Sequence, residues 1–118
     1  MTVSLWAASN LDPAIGTEHF LPGASAIGVY TFHFDTASMV AGDYLEARLY
    51  QAVLTGCTPK VAYLDAWQGV QATDDQVKIS VPISNDLAEA SAVRFSLTLR
   101  LGGASPASQI PWKILRHS

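Results

Sequence analysis

VRFSLTLRL, residues 93–101, decides the fold. Val93, Phe95, Leu97, Leu99 and Leu101 alternate with Arg94, Ser96, Thr98 and Arg100. Successive side chains of an extended chain point to opposite sides, so this order lays the apolar groups along one face of a sheet and the polar ones along the other. A helix would scatter the same residues around its axis. The stretch is therefore a half-buried strand, and the rest of the chain supplies partners of the same kind.

Val77, Ile79, Val81 and Ile83 alternate with Lys78, Ser80 and Pro82 and are expected to face inward, with Pro82 marking a strand end or an edge. Leu45, Ala47, Leu49 and Val53 oppose Tyr44, Glu46, Arg48 and Tyr50, and Tyr30, Phe32 and Phe34 are expected to point inward from segment 26–35. Shorter strand candidates are 2–7, 17–21, 60–67 and 111–116. Between them lie residues that tolerate positive φ or preset a bend: Asn10 to Gly16, Pro22-Gly23, Thr55-Gly56, Thr73-Asp74-Asp75, Ser84-Asn85-Asp86 and Gly102 to Pro106. About eight short strands separated by turns indicate an all-β chain, an antiparallel sandwich or small barrel. Two segments have room for a helical turn: Asp35 to Val40, with Met39 tucked under a crossover between sheets, and Asp86 to Glu89, which has capping-box spacing.

At 118 residues the chain is one domain, 1–118. Its charge is sparse: Asp, Glu, Lys and Arg make up 14% of residues, where soluble domains carry roughly 25%. Neutral and apolar side chains must then cover much of the surface, and part of that surface is expected to be buried against other molecules. The net charge is -3 and the 7 basic residues are spread thinly, so no positive stripe is present to hold a phosphate backbone and nucleic acid is not an expected partner. MTVSLWAASNLDP, residues 1–13, lacks the positive region of a secretory signal, and no apolar run is long enough for a membrane helix. The single cysteine, Cys57, excludes an intrachain disulfide and suits a reducing cytoplasm.

Catalytic equipment is hard to find. His33 and Asp35 share one side of their strand but match no ligand spacing, and His19 and His117 stand apart in sequence. Cys57 has no His or Lys nearby in sequence to lower its pKa, and no G-x-S-x-G elbow occurs. Gly102-Gly103 leads into Ala-Ser-Pro rather than a phosphate-cradling helix, and Asp74-Asp75 offers too few oxygens for calcium. No enzyme, cofactor or metal is expected.

The aromatic residues carry more. Trp6, Trp67 and Trp112, with Tyr44 and Tyr50 on an otherwise polar face, suit a sugar-stacking platform, the anchors of a protein interface, or, for Trp6 and Trp112 above all, the core. In the closing PWKILR, Trp112 and Ile114 share one face with Arg116 while Lys113 and Leu115 share the other, so both sides of this strand are partly apolar, and part of it is expected either to touch another subunit or to be covered by the loop at 102–108. Trp6, Tyr44, Tyr50, Trp67, Trp112 and Ile114 are the candidate protein-interface residues.

The order DTASMVAGDYLEARLYQAVL, KVAYLDAW, VKISVPI, VRFSLTLRLGG and IPWKILR, within residues 26–116, resembles small structural proteins encoded in the virion modules of tailed bacteriophages. Gly42-Asp43 and Pro111-Trp112 are the more distinctive elements of the likeness, which does not extend to the first 25 residues or the 85–92 loop. The resemblance implies a virion component without enzymatic activity, on a sandwich or jelly-roll scaffold of the type that capsid decoration proteins use. It further implies the major capsid protein as partner, with self-association as a dimer or trimer. A tail, neck or baseplate component and a carbohydrate-binding module for host attachment are the alternatives.

Overall fold

The computed structural model describes residues 2–118. Among them the chain forms nine strands: β1 (Val3–Leu11), β2 (Glu18–Ala24), β3 (Gly28–Asp35), β4 (Tyr44–Gln51), β5 (Lys60–Gln68), β6 (Val77–Ile79), β7 (Ile83–Asn85), β8 (Val93–Leu101) and β9 (Ile110–His117). The first sheet has the order β1-β9-β3-β6, with β7 also on β3, and the second β2-β8-β4-β5. All pairings are antiparallel. They include four nested levels: β4 with β5, β3 with β6 and β7, β2 with β8, and β1 with β9. A long hairpin wound into two facing sheets has this nesting, and the molecule is an antiparallel β-sandwich of jelly-roll topology. Among the described residues no helix is long and apolar enough to cross a membrane.

The strand that decides the fold lies in the middle of the second sheet, between β2 and β4. Val93, Phe95, Leu97 and Leu99 are fully buried, and the Phe95 ring meets Tyr30 and Phe32 of the opposite sheet at centroid distances of 6.2 and 5.8 Å. Leu101 is exposed, because the β4–β8 register shifts between Tyr44 and Leu45 and carries the strand end off the core. Tyr30, Phe32, Phe34, Leu45, Ala47 and Leu49 face inward as the alternation requires, whereas Val53 lies past the strand end and is exposed. The closing strand β9 is central in the first sheet, held between β1 and β3, so the fold itself covers Trp112 and Ile114.

Segment 77–83 departs from expectation. Val77, Ile79 and Val81 face solvent, and Lys78 turns inward with 6% of its surface exposed. The Lys78 ammonium donates to the Asp75 carbonyl at 2.6 Å, lies 3.2 Å from the Asp75 carboxylate and sits 5.8 Å from the Trp67 ring centroid, so its stem fills the core rim while its charge stays satisfied. The phase changes at Ser80–Pro82, where the chain leaves the regular ladder: Ser80 donates its N–H to the Phe32 carbonyl and its Oγ accepts from the Phe32 N–H. Ile83 then faces the core. A one-residue slip inverts every side chain of a strand, and this break contains the slip within two three-residue strands.

The two helical turns expected from sequence are not formed. Asp35 ends β3 and is followed by a single turn at Ala37-Ser38, with Met39 buried as expected, and Glu89 accepts instead from the Gly56 N–H. A single 3-10 turn occurs among the described residues, at Thr73–Asp75.

One end of the sandwich is tied by Asp43, whose side chain is buried with 1% exposure. One carboxylate oxygen accepts from the Gly103 N–H at 2.8 Å, and the other from Val40 and Ala107 N–H at 3.0 Å each. This joins the β3–β4 loop to the β8–β9 loop. The contact demands glycine on both sides: Gly42 has φ +93°, and a Cβ at Gly103 would lie 2.1 Å from the Ala41 carbonyl oxygen.

Candidate functional site

The two sheets present outer faces of different chemistry. On the first sheet the register sets Val3, His117, Val29 and Ser84 in one row, Leu5, Leu115 and Thr31 in the next, and Ala8, Lys113, His33 and Ile79 beyond them. Leu5 is 62% and Ile79 60% exposed, with Val3 and Val77 similarly bare. A groove of about 330 Å³ runs beside them, lined by Ala8, His33, Phe34, Asp35, Val77, Pro111, Trp112 and Lys113. This face is aliphatic at its margins and carries a small polar cluster at its centre.

In that cluster the Thr31 hydroxyl lies 2.9 Å from His33 Nε2 and 3.2 Å from His117 Nε2. A hydroxyl has one proton, so Thr31 can donate to one imidazole while accepting from the other. Burial, then the charges of Lys113 and His117, push the His33 pKa below its ordinary value of 6.5. Asp35, on the same side of β3, accepts from the Ala37 N–H. The folded chain therefore holds His33 neutral more firmly than the unfolded chain does. Stability is full above pH 6.5 and falls as pH drops through that value, since protonation then favours unfolding. In an NMR pH series His33 should titrate below 6.5, and Lys113→Met should move its midpoint upward; a midpoint at or above 6.5 contradicts the arrangement.

The outer face of the second sheet consumes its own polarity. Tyr50 donates its hydroxyl to Glu18 at 2.5 Å and Ser96 donates to the same carboxylate oxygen at 2.6 Å. Glu46 accepts from Arg48 Nε at 2.7 Å and from Arg100 Nη2 at 2.8 Å. Burial raises the Glu46 pKa, but the two arginine hydrogen bonds and their charges outweigh it, and the carboxyl sits below the usual carboxylate range. Phe20 stacks against Tyr50 with centroids 5.5 Å apart, and the Arg94 guanidinium lies 5.9 Å from the Phe20 ring.

The six residues singled out from sequence do not form one surface. Ile114, expected at an interface, is a core residue with 0% exposure, and Trp112 is buried beside it, because both point inward from a strand paired on its two sides. Trp6 is half-buried, edge-on to Tyr30 at 5.6 Å, and donates its indole N–H to the Gly23 carbonyl at 3.2 Å. Trp67 is half-buried against Phe34 at 5.3 Å. Tyr44 and Tyr50 alone lie on an outer face, both half-buried on the second sheet. The exposed aliphatic margins of the first sheet carry no sequence signal, and on this face only Leu115, opposite Trp112 and Ile114, is marked by its position.

The fold and its surfaces thus define a jelly-roll sandwich whose first sheet has an outer face with aliphatic margins around a polar centre, and whose second sheet carries a closed polar network beside exposed Phe20, Val61 and Leu64. Compared with known proteins, the chain matches no family model, no curated protein and no solved structure.

Proposed function

We propose that this chain is a non-enzymatic structural protein of a virion, a capsid decoration or cement protein of a tailed phage that seats the outer face of its first sheet on the major capsid protein. The observation that carries this reading is the pair of bare aliphatic margins on that face, Val3 and Leu5 on β1 and Val77 and Ile79 on β6, on a chain with only 14% charged residues. Ala8, Val77 and Pro111 line the groove between these margins, and apolar surface exposed in this way on a small domain marks an interaction site. A lattice of identical subunits offers the same shallow docking site many times, so modest contacts suffice when many copies bind. The likeness of residues 26–116 to phage virion proteins supports the same role. A tail, neck or baseplate position differs chiefly in copy number. The carbohydrate-binding alternative is weakened by the tryptophans, which pack inward, and by the Tyr50 hydroxyl, which is already engaged.

Phage particles lacking the chain should release their DNA at lower temperature than complete ones, while adsorption to cells is unchanged. Adding back the wild-type chain should restore the release temperature, and Leu5→Lys with Ile79→Lys should not. Equal release temperatures with and without the chain would falsify the assignment. Hundreds of copies per particle by quantitative gel place it on the capsid; a few dozen or fewer place it in the tail.

A further inference from the structure

A jelly roll leaves both sheets open, so each has two strands with an unpaired edge: β1 and β6/β7 in the first sheet, β2 and β5 in the second. Natural sheets protect such edges with charge, proline, irregularity or shortness, because a bare edge pairs with whatever strand it meets. Three of these edges are protected. β6 and β7 have three residues each and are separated by Pro82; β2 carries Glu18 and Pro22 and its register shifts between Leu21 and Ala24; β5 has Lys60 at its start and Asp65 in its middle.

β1 differs. Its nine residues, VSLWAASNL, include no Asp, Glu, Lys, Arg or Pro. Its register on β9 shifts once, between Leu5 and Ala7, and from Ala7 to Leu11 the ladder is regular. Ala8, Ser9 and Asn10 within that run are exposed.

We infer that Ala7–Leu11 of β1 pairs antiparallel with the same segment of a second copy across a two-fold axis, joining two first sheets into one. Pairing about a two-fold sets a segment against itself, so any charge in it would meet its own like nearby. This segment has none, and Ala7, Ala8, Ser9 and Asn10 are small enough for two backbones to approach without displacing bulky groups. A partner of different sequence would place no such restriction on the segment's charge. The joined sheet also brings the two aliphatic faces into one surface. The pairing does not rest on the capsid assignment, since it concerns the purified chain alone.

Five paired residues span roughly 17 Å of strand, well short of a standard interface, so the free pair should be a weak dimer seen at high concentration. Sedimentation equilibrium at about 0.5 mM chain should give a mass approaching twice 12.6 kDa. Ser9→Lys and Asn10→Lys should each return the monomer with an unchanged thermal midpoint, and in the wild-type chain amide exchange at residues 7–11 should slow as concentration rises. Two results overturn the proposal: a wild-type chain that stays monomeric at that concentration, or a dimer that survives both lysine substitutions and yields instead to Leu64→Lys on β5 or Ile79→Lys on the aliphatic face. The exchange measurement needs no variant and decides the matter even if a substituted chain does not fold.

Discussion

Asp43→Ala should lower the unfolding free energy by about 3 kcal/mol, seen as a reduced denaturant midpoint at unchanged slope. The carboxylate accepts three backbone N–H groups from two loops and is almost completely enclosed. Hydrogen bonds to a charged acceptor contribute roughly 1.5–3 kcal/mol each, but they share one anion and do not add fully. Alanine removes the acceptor and leaves the Val40, Gly103 and Ala107 donors without their partner. Asp43→Asn should recover less than half of the loss, because an amide keeps one acceptor oxygen and turns an NH₂ group toward an N–H donor. A loss below about 1 kcal/mol for Asp43→Ala would mean that water replaces the carboxylate at little cost and that the loops are not held by it.

Ile114→Ala should destabilise the isolated chain by about 4 kcal/mol, within the range of buried aliphatic truncations. Ile114 is fully buried on the central strand of the first sheet, paired with Phe32 on one side and Ala7 on the other. Neighbours on both sides limit how far the core can collapse into the space vacated, which places the cost toward the upper part of that range. The measurement also separates two roles. An interface anchor would leave the stability of the isolated chain nearly unchanged and would lose only binding; a core residue shows its full effect with no partner present.

The physics of alternation makes the sandwich legible in the sequence. In 93–101 and in Tyr30, Phe32 and Phe34 the apolar residues occupy one parity without exception, and the two-sheet core buries all of them except Leu101 at the strand end. Segment 77–83 shows where that logic fails. Its hydrophobic parity is as clean as theirs, yet three of its four apolar residues face solvent, because the register is imposed by β3 and by the Ser80 bonds to Phe32, which are long-range facts. The same failure hid the aliphatic face. The alternation of Val77 and Ile79 is that of core residues, and Leu5 carries no mark that distinguishes an outward leucine from an inward one. Tryptophan misled in the opposite sense: a large ring near a chain end suggests an anchor, but Trp112 occupies the inward parity of a strand that happens to be central. Asp43 stood out beside Gly42 in sequence, although its three donors, two of them some 60 residues away, could not be foreseen.

Thr2 and Ser118 exchange two backbone hydrogen bonds of 2.7 and 2.9 Å, so the first and last strands close the ladder side by side. Passengers tethered to residues 2 and 118 would therefore leave from one corner of the molecule, within a few ångströms of each other. A label or enzyme displayed from either end would stand at the same spot on whatever surface carries the protein.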